Sequence, residues 1–298
     1  MDVDRTSCID RVSVHLGQFL SLLHEAGKQV LSVYREDFAV VLKSDDSPLT
    51  LADSKSHDLL YANLPAILEV PVLSEEGQMI PLSERVSWRA FWSIDPLDGT
   101  REFVRRSDEF CISVGLVLNG FPIFGGIQIP VEDRIYFGGE GFGSFRIEGP
   151  QVEGLKDKGL EAVLSCCDRL GPDGTNDRAD RPWVVLGSAS HRSEIPEELM
   201  SVLAAKEHFM MRSVGSAIKF CRIAEGAADF YPRFGRTMEW DTAAGQAIVA
   251  GVGGRVIEIG TRKPLHYNKP VLENPEFYCF GPRFRQRYRE FIEGGTGT

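Results

Sequence analysis

The feature that most limits the fold is a stretch in which strand follows strand with no helix between them. Residues Cys111 to Leu118 and Pro122 to Gln128 are apolar runs of strand length, and Asn119-Gly120 between them is a tight-turn signal. Arg134 to Phe137 and Gly143 to Ile147 continue the β-rich pattern. Such a meander does not fit a regular βαβ repeat. The helical signals lie apart from it. Apolar residues recur at roughly helical spacing from Asp10 to Tyr34, predicting one opening amphipathic helix. Thr50 to Leu68 predicts another, with Pro65 as an interruption. Trp183 to Leu186 reads as a strand, and Glu194 to Ala205, Ser216 to Ala224 and Asp241 to Ala250 read as helices. Separate meanders and helices predict an α+β protein built in layers. The polar, Gly-rich segment from 149 to about 182 predicts a loop-rich boundary. It would divide an N-terminal α+β lobe, 1–150, from a C-terminal α/β lobe, 151–298, in a chain of 298 residues.

The chemistry-bearing residues stand at the ends of these elements. Ile94-Asp95-Pro96-Leu97-Asp98-Gly99-Thr100 closes the hydrophobic strand that contains Trp92. Pro96 fixes its own φ and removes a backbone donor, so the turn can aim both acids at one point. Carboxylate oxygens are the hard ligands that Mg²⁺ prefers. Gly99 and Thr100 offer backbone N–H groups at a possible helix start, where an anion is favoured. An ordinary surface turn uses the same residue types. Glu75 and Glu76 follow the apolar run Val70-Pro71-Val72-Leu73-Ser74, Asp53 lies near the start of a helical pattern, and Asp241 opens another. Taken singly, exposed acids, a helix-dipole partner and an N-cap account for them better than a functional site does.

A formal charge of -10 argues against a general binder of nucleic-acid polymers, which needs a basic face. It leaves room for an anionic small molecule, because bound cations reverse the local sign of an acidic pocket. The six cysteines show no CxxC pair, and adjacent Cys166 and Cys167 suit neither zinc nor a disulfide, so free thiols in a reducing compartment are expected. No apolar run reaches membrane-spanning length, and the acids of Met1-Asp2-Val3-Asp4-Arg5 are unlike a signal peptide. The expectation is a cytoplasmic protein.

Together, Glu75-Glu76, Asp95-Pro96-Leu97-Asp98-Gly99-Thr100 and Trp240-Asp241 resemble the motifs of the lithium-sensitive, Mg²⁺-dependent phosphomonoesterase superfamily that includes inositol monophosphatase. The resemblance narrows to the bacterial 3'(2'),5'-bisphosphate nucleotidases of sulfur metabolism. It does so on Leu73-Ser74-Glu75-Glu76, on Asp98 to Phe103, on Gly215 to Cys221, and on Ala224 through Tyr231-Pro232-Arg233-Phe234-Gly235 to Gly245. Pro264-Leu265 and Asn274-Pro275 also fit, so the match runs from about Lys43 to Phe277. One departure is Ser188-Ala189-Ser190-His191, where the family often has Arg in place of Ala189. The connection from 150 to 182 shows no resemblance.

What the resemblance implies is specific. The fold would be a layered αβαβα sandwich of the inositol monophosphatase and fructose-1,6-bisphosphatase type. Two or three Mg²⁺ ions would bind: one to Glu75, Asp95 and the Leu97 carbonyl, another to Asp95, Asp98 and Asp241, with Glu75 sharing a weaker third. Thr100 would hydrogen-bond the attacking water and Asp53 would polarise Thr100. Leu97, Asp98, Gly99 and Thr100 would cradle the phosphate, while His191, Gly215, Ser216, Lys219 and Arg233 would contact the rest of a phosphorylated nucleotide. The resemblance also admits peripheral association with the cytoplasmic face of the inner membrane. Without it, Lys219 reads as an exposed helix lysine and Arg233 as a loop arginine. An inositol or sugar phosphate phosphatase shares every metal ligand, and only the Lys219 and Arg233 context separates it. A non-catalytic, metal-dependent binding protein is the reading from another class. The presence of Asp53, Glu75, Asp95, Asp98, Thr100 and Asp241 together speaks against it.

Overall fold

A computed structural model describes residues 4–36, 40–42, 48–171, 182–188 and 209–289. A short antiparallel ladder, β1 (Val40–Leu42) with β2 (Pro48–Thr50), comes first. The β-rich stretch then forms one seven-stranded sheet in chain order. Its strands are β3 (Val72–Ser74), β4 (Ala90–Asp98), β5 (Cys111–Leu118), β6 (Phe121–Ile129), β7 (Arg134–Gly139), β8 (Gly143–Glu148) and β9 (Asp168–Arg169). Only the β3–β4 pair is parallel. The last five strands are β10 (Trp183–Ser188), β11 (Phe209–Val214), β12 (Phe230–Arg233), β13 (Arg255–Glu258) and β14 (Phe277–Phe280). They make a second, mixed sheet in the order β11-β10-β12-β14-β13.

Helices sandwich both sheets. Helices Arg5–Val14, Leu16–Tyr34 and Leu51–Ile67 cover one face of the large sheet, burying Phe19, Leu20, Leu23 and Leu60 against Trp92, Val114 and Phe124. The helices Ile218–Ala224 and Glu239–Gly251 fill the space between the sheets through Phe220, Ala243, Ala244 and Ile248. Phe284 and Tyr288 close the outer face of the small sheet. The result is the αβαβα order expected. Because both faces of the large sheet are covered, β5 is buried at all eight positions, which is why its sequence is continuously apolar instead of alternating. Each large side chain buried in this way contributes about 1.5–3 kcal/mol.

The central helix lies unusually close to the sheet. A Cβ added to Gly115 would sit 2.7 Å from the Ala243 Cβ, and one on Gly125 would sit 2.6 Å from the Ala244 Cα. Glycines on the strands and alanines on the helix let the two backbones approach, and this approach sets the height of the helix N-terminus above the sheet.

Several elements differ from the sequence reading. The single helix expected from Asp10 to Tyr34 starts earlier, at Arg5, where the Asp4 carboxylate accepts the Ser7 N–H at 2.8 Å as a cap. It is also interrupted at His15 (φ -103°, ψ 17°), although hydrogen bonds continue through it: His15 N–H to Arg11 O at 3.2 Å and Phe19 N–H to His15 O at 2.9 Å. Pro65 lies in the last turn of Leu51–Ile67, and the helix continues through it, with the Leu68 N–H still donating to the Leu64 carbonyl. The described part of the 149–182 connection carries two short helices, Gly149–Val152 and Leu160–Leu164, and β9. The helix read over Glu194 to Ala205 lies outside the described residues. All six cysteines are free. Among the described residues, no helix is long and apolar enough to cross a membrane.

Candidate metal and phosphate site

The site begins with an irregularity in β4. On a regular strand, residues three apart point to opposite faces. Asp95 lies opposite Ser113, but Asp98 lies opposite Cys111, so Pro96 and Leu97 form a bulge facing Ile112. Ser113 and Cys111 are two apart and share a face. The bulge therefore brings Asp95 and Asp98 to the same side of the sheet, the side where Ser113 Oγ donates to the Trp240 carbonyl at 3.2 Å. Parallel β3 ends beside β4 and delivers Glu75, whose N–H donates to the Ile94 carbonyl at 3.2 Å. Asp241 comes down from the first turn of Glu239–Gly251, with Met238 N–H donating to its Oδ2 at 2.9 Å.

Glu75, Asp95 and Asp241 each place a carboxylate oxygen within 4.8 Å of the others. Asp95 is buried, and Glu75 and Asp241 are half-buried. Burial, followed by the charges of Glu75, Asp98 and Asp241, pushes the Asp95 carboxyl well above the usual carboxylate range. Burial, followed by Asp98 and Glu75, does the same to Asp241, against the opposing effects of the Met238 N–H and of Arg233. Asp98 rises to about 6, again chiefly through burial, although Lys219 and the Ala217 N–H both favour its charged form. Four crowded acids with hard oxygen donors and too little positive charge around them are chemically suited to Mg²⁺.

The turn after the bulge carries Gly99 and Thr100, the residues expected to cradle a phosphate. Gly99 has φ 92°, and a Cβ there would lie 3.0 Å from the Glu109 carbonyl oxygen, so only glycine is at ease. The helix Thr100–Val104 starts immediately after it. Asp53 is the third residue of the Leu51–Ile67 helix. Its Oδ2 accepts the Thr50 N–H at 2.7 Å and the Thr50 Oγ1–H at 2.6 Å. Its Oδ1 faces the Thr100 hydroxyl at 3.3 Å, while Thr100 Oγ1 lies 3.1 Å from the Leu97 carbonyl. The helix-start acid thus also reaches Thr100, in one buried side chain.

Lys219 and Arg233 are both buried, at 4% and 6% exposure, contrary to the exposed positions their local sequence suggests. Lys219 Nζ donates to the Val214 carbonyl at 3.0 Å and lies 5.2 Å from the Tyr231 ring centre. Burial lowers its pKa to about 8, with Asp98 opposing the fall. The Arg233 guanidinium is anchored by the Gly235 carbonyl at 3.1 Å and the Arg236 carbonyl at 2.8 Å. Gly215 and Ser216 form the turn entering the Ile218–Ala224 helix, and the next N–H, of Ala217, donates to the Asp98 Oδ2. His191 lies outside the described residues.

Sequence reasoning did not find Glu239. It is fully buried next to Asp241 and accepts the Asn268 N–H at 2.6 Å and the Lys269 Nζ–H at 2.7 Å. Asn268 in turn joins Arg85 at 2.7 Å, tying the helix that carries Asp241 to the segment after Glu75. Only the neighbouring Trp240-Asp241 could have drawn attention to it.

Residues 16–283 match the model of the inositol monophosphatase family. The chain belongs to that family. It is 36% identical to the 3'(2'),5'-bisphosphate nucleotidase CysQ of Shigella flexneri over 268 residues, 88% of this chain and 98% of that protein. The protein of that name in Haemophilus influenzae is 33% identical over 270 residues, 89% of this chain and 92% of its own. Among solved structures, CysQ from Bacteroides thetaiotaomicron aligns with a TM-score of 0.77 at 36% identity, covering 93% of this chain and 97% of that one. An IMPase of Thermotoga maritima shares the fold at 20% identity, with a TM-score of 0.67 and coverage of 94% and 96%. Enzymes of the inositol monophosphatase family depend on Mg²⁺, and this member carries an acidic cluster able to hold a metal ion.

Proposed function

We propose that this chain is a Mg²⁺-dependent 3'(2'),5'-bisphosphate nucleotidase that converts adenosine 3',5'-bisphosphate to AMP and phosphate. The observation that carries the reading is the pair of buried cations, Lys219 and Arg233, beside the acid cluster. A monophosphate needs only the metals and the turn after β4. Two desolvated cations suit a substrate with a second phosphate. The similarity to proteins named as bisphosphate nucleotidases points the same way.

In this reading Glu75, Asp95 and the Leu97 carbonyl would hold one Mg²⁺, and Asp95, Asp98 and Asp241 would hold another, with Glu75 available to a weaker third. Bound Mg²⁺ supplies Lewis-acid chemistry, drawing charge from the phosphoryl oxygens and acidifying a water. Asp53 keeps its Oδ2 on Thr50 and offers Oδ1 to Thr100. The Thr100 hydroxyl proton turns towards Asp53 or Leu97, which leaves its lone pairs to orient the attacking water. Gly99 and Thr100 hold the scissile phosphate by their backbone N–H groups. Gly215, Ser216, Lys219, Arg233 and His191 take the nucleotide and its second phosphate.

The test is kcat/KM on adenosine 3',5'-bisphosphate and on inositol 1-phosphate, for the wild type and for Lys219→Ala and Arg233→Ala. A charge-assisted hydrogen bond to a second phosphate is worth roughly 1.5–3 kcal/mol, about a tenfold to hundredfold preference for the bisphosphate. Each variant should lose much of that preference and keep slow hydrolysis of simple monoesters. A wild type that prefers inositol 1-phosphate overturns the substrate assignment.

A further inference from the structure

Segments distant in sequence meet at Glu109. The loop between the Thr100–Val104 helix and β5 holds Arg106 at φ 58° and Asp108 at φ 64°, in the left-handed region that non-glycine residues rarely adopt. Tyr34 pins this loop from the outer helical layer: its hydroxyl donates to the Asp108 Oδ1 at 2.7 Å and accepts the Asp108 N–H at 3.3 Å. From the pinned loop, Glu109 Oε2 accepts the Gly215 N–H at 3.0 Å. The packing is tight on both sides of this contact. A Cβ on Gly215 would lie 2.6 Å from the Glu109 carbonyl oxygen and 2.8 Å from the Glu109 Cβ. A Cβ on Gly99 would lie 3.0 Å from the same carbonyl and 3.2 Å from the Ser216 Cβ. Ser216 itself has φ 46°, so the turn needs an external hold to keep its shape.

We propose that Glu109 is a positioning residue that seats the Gly215-Ser216 turn against Gly99 and so sets affinity for the part of the substrate remote from the reacting phosphate. The inference rests on the nucleotidase reading, in which this turn and Lys219 face the nucleotide. Lys219 moves with the turn because its Nζ is tied to the Val214 carbonyl. Glu75, Asp95, Asp241 and Thr100 are carried by other elements, and the turn reaches the metal site only through the Ala217 N–H on Asp98 and the packing on Gly99, so Glu109 bears less on the scissile phosphate than on the remote part of the substrate.

The experiment measures kcat and KM separately for wild type, Glu109→Ala and Glu109→Gln, on adenosine 3',5'-bisphosphate and on para-nitrophenyl phosphate. It also measures the Tm shift that Mg²⁺ induces in each protein. Loss of a charge-assisted hydrogen bond should raise KM for the bisphosphate about tenfold in Glu109→Ala, with kcat held within about twofold. Hydrolysis of para-nitrophenyl phosphate should change by no more than about twofold and the Mg²⁺-induced shift by a small fraction, far less than the KM for the bisphosphate. Glu109→Gln keeps an acceptor for the Gly215 N–H and should retain a near-wild-type KM, which separates seating of the turn from loss of charge. Equal losses on both substrates, an unchanged KM in Glu109→Ala, or a Gln variant as impaired as the Ala variant overturns this inference and leaves the nucleotidase reading standing. A wild type without preference for the bisphosphate overturns that reading, and the inference falls with it.

Discussion

Asp98→Asn tests whether the acid cluster is a store of repulsion that a cation relieves. In the metal-free protein, burial raises the Asp98 carboxyl from 3.8 to about 6. A carboxyl whose folded pKa exceeds its unfolded value binds its proton more tightly in the folded state. Its contribution to stability is present below pH 3.8 and is lost as the pH rises through about 6. At pH 7 the metal-free protein therefore carries the full penalty, about 3 kcal/mol at 1.36 kcal/mol per pKa unit. Asparagine removes the charge and keeps an oxygen for the Ala217 N–H. In EDTA at pH 7, Asp98→Asn should be more stable than wild type by up to about 3 kcal/mol, a Tm gain of several degrees at roughly 2–4 °C per kcal/mol. The gap should close towards pH 4, where the wild-type carboxyl is protonated. Added Mg²⁺ should raise the wild-type Tm by mass action and raise the variant's far less. Hydrolysis by the variant should fall by about a hundredfold or more, since a proposed ligand is lost. Thermal melts at pH 4, 5, 6 and 7, with EDTA and with Mg²⁺, decide the matter. A metal-free variant less stable than wild type at pH 7, or a gap that does not change with pH, refutes the reasoning.

Two further outcomes are expected. Phosphate release should require Mg²⁺, stop in excess EDTA, fail with Ca²⁺, whose longer bonds and larger ligand number suit the site badly, and be inhibited by Li⁺; full activity in EDTA contradicts the metal assignment. Gly125→Ala should destabilise the fold by about 1–3 kcal/mol, because its Cβ would meet helix backbone 2.6 Å away, and should weaken Mg²⁺ binding by displacing Asp241; denaturant melts and Mg²⁺ titration check both effects.

The sequence alone marked most of the element types and, through its resemblance to a family, the candidate chemistry. The β meander from Cys111 to Ile147, the helix read from Thr50 to Leu68 and the turn Asp95 to Thr100 are written in periodicity and in Pro and Gly sterics, which act over a few neighbouring residues. The same local signals misplaced the first helix boundary, because the interruption at His15 has no strong breaker such as proline or glycine to announce it. Tertiary structure decided how the site closes. Spacing in Asp95-Pro96-Leu97-Asp98 is ambiguous about facing until the register against Ser113 and Cys111 reveals the bulge. Asp53 and Asp241 look like ordinary helix-start acids until the Leu51–Ile67 helix meets Thr100 and the Ala243–Ala244 surface settles onto Gly115 and Gly125. Lys219 and Arg233 are polar in sequence and buried in space, and Glu109 gains its partner more than a hundred residues away at Gly215. Burial and convergence depend on which distant surfaces pack together, and that is settled by the summed contacts of the layers, not by any short run of residues.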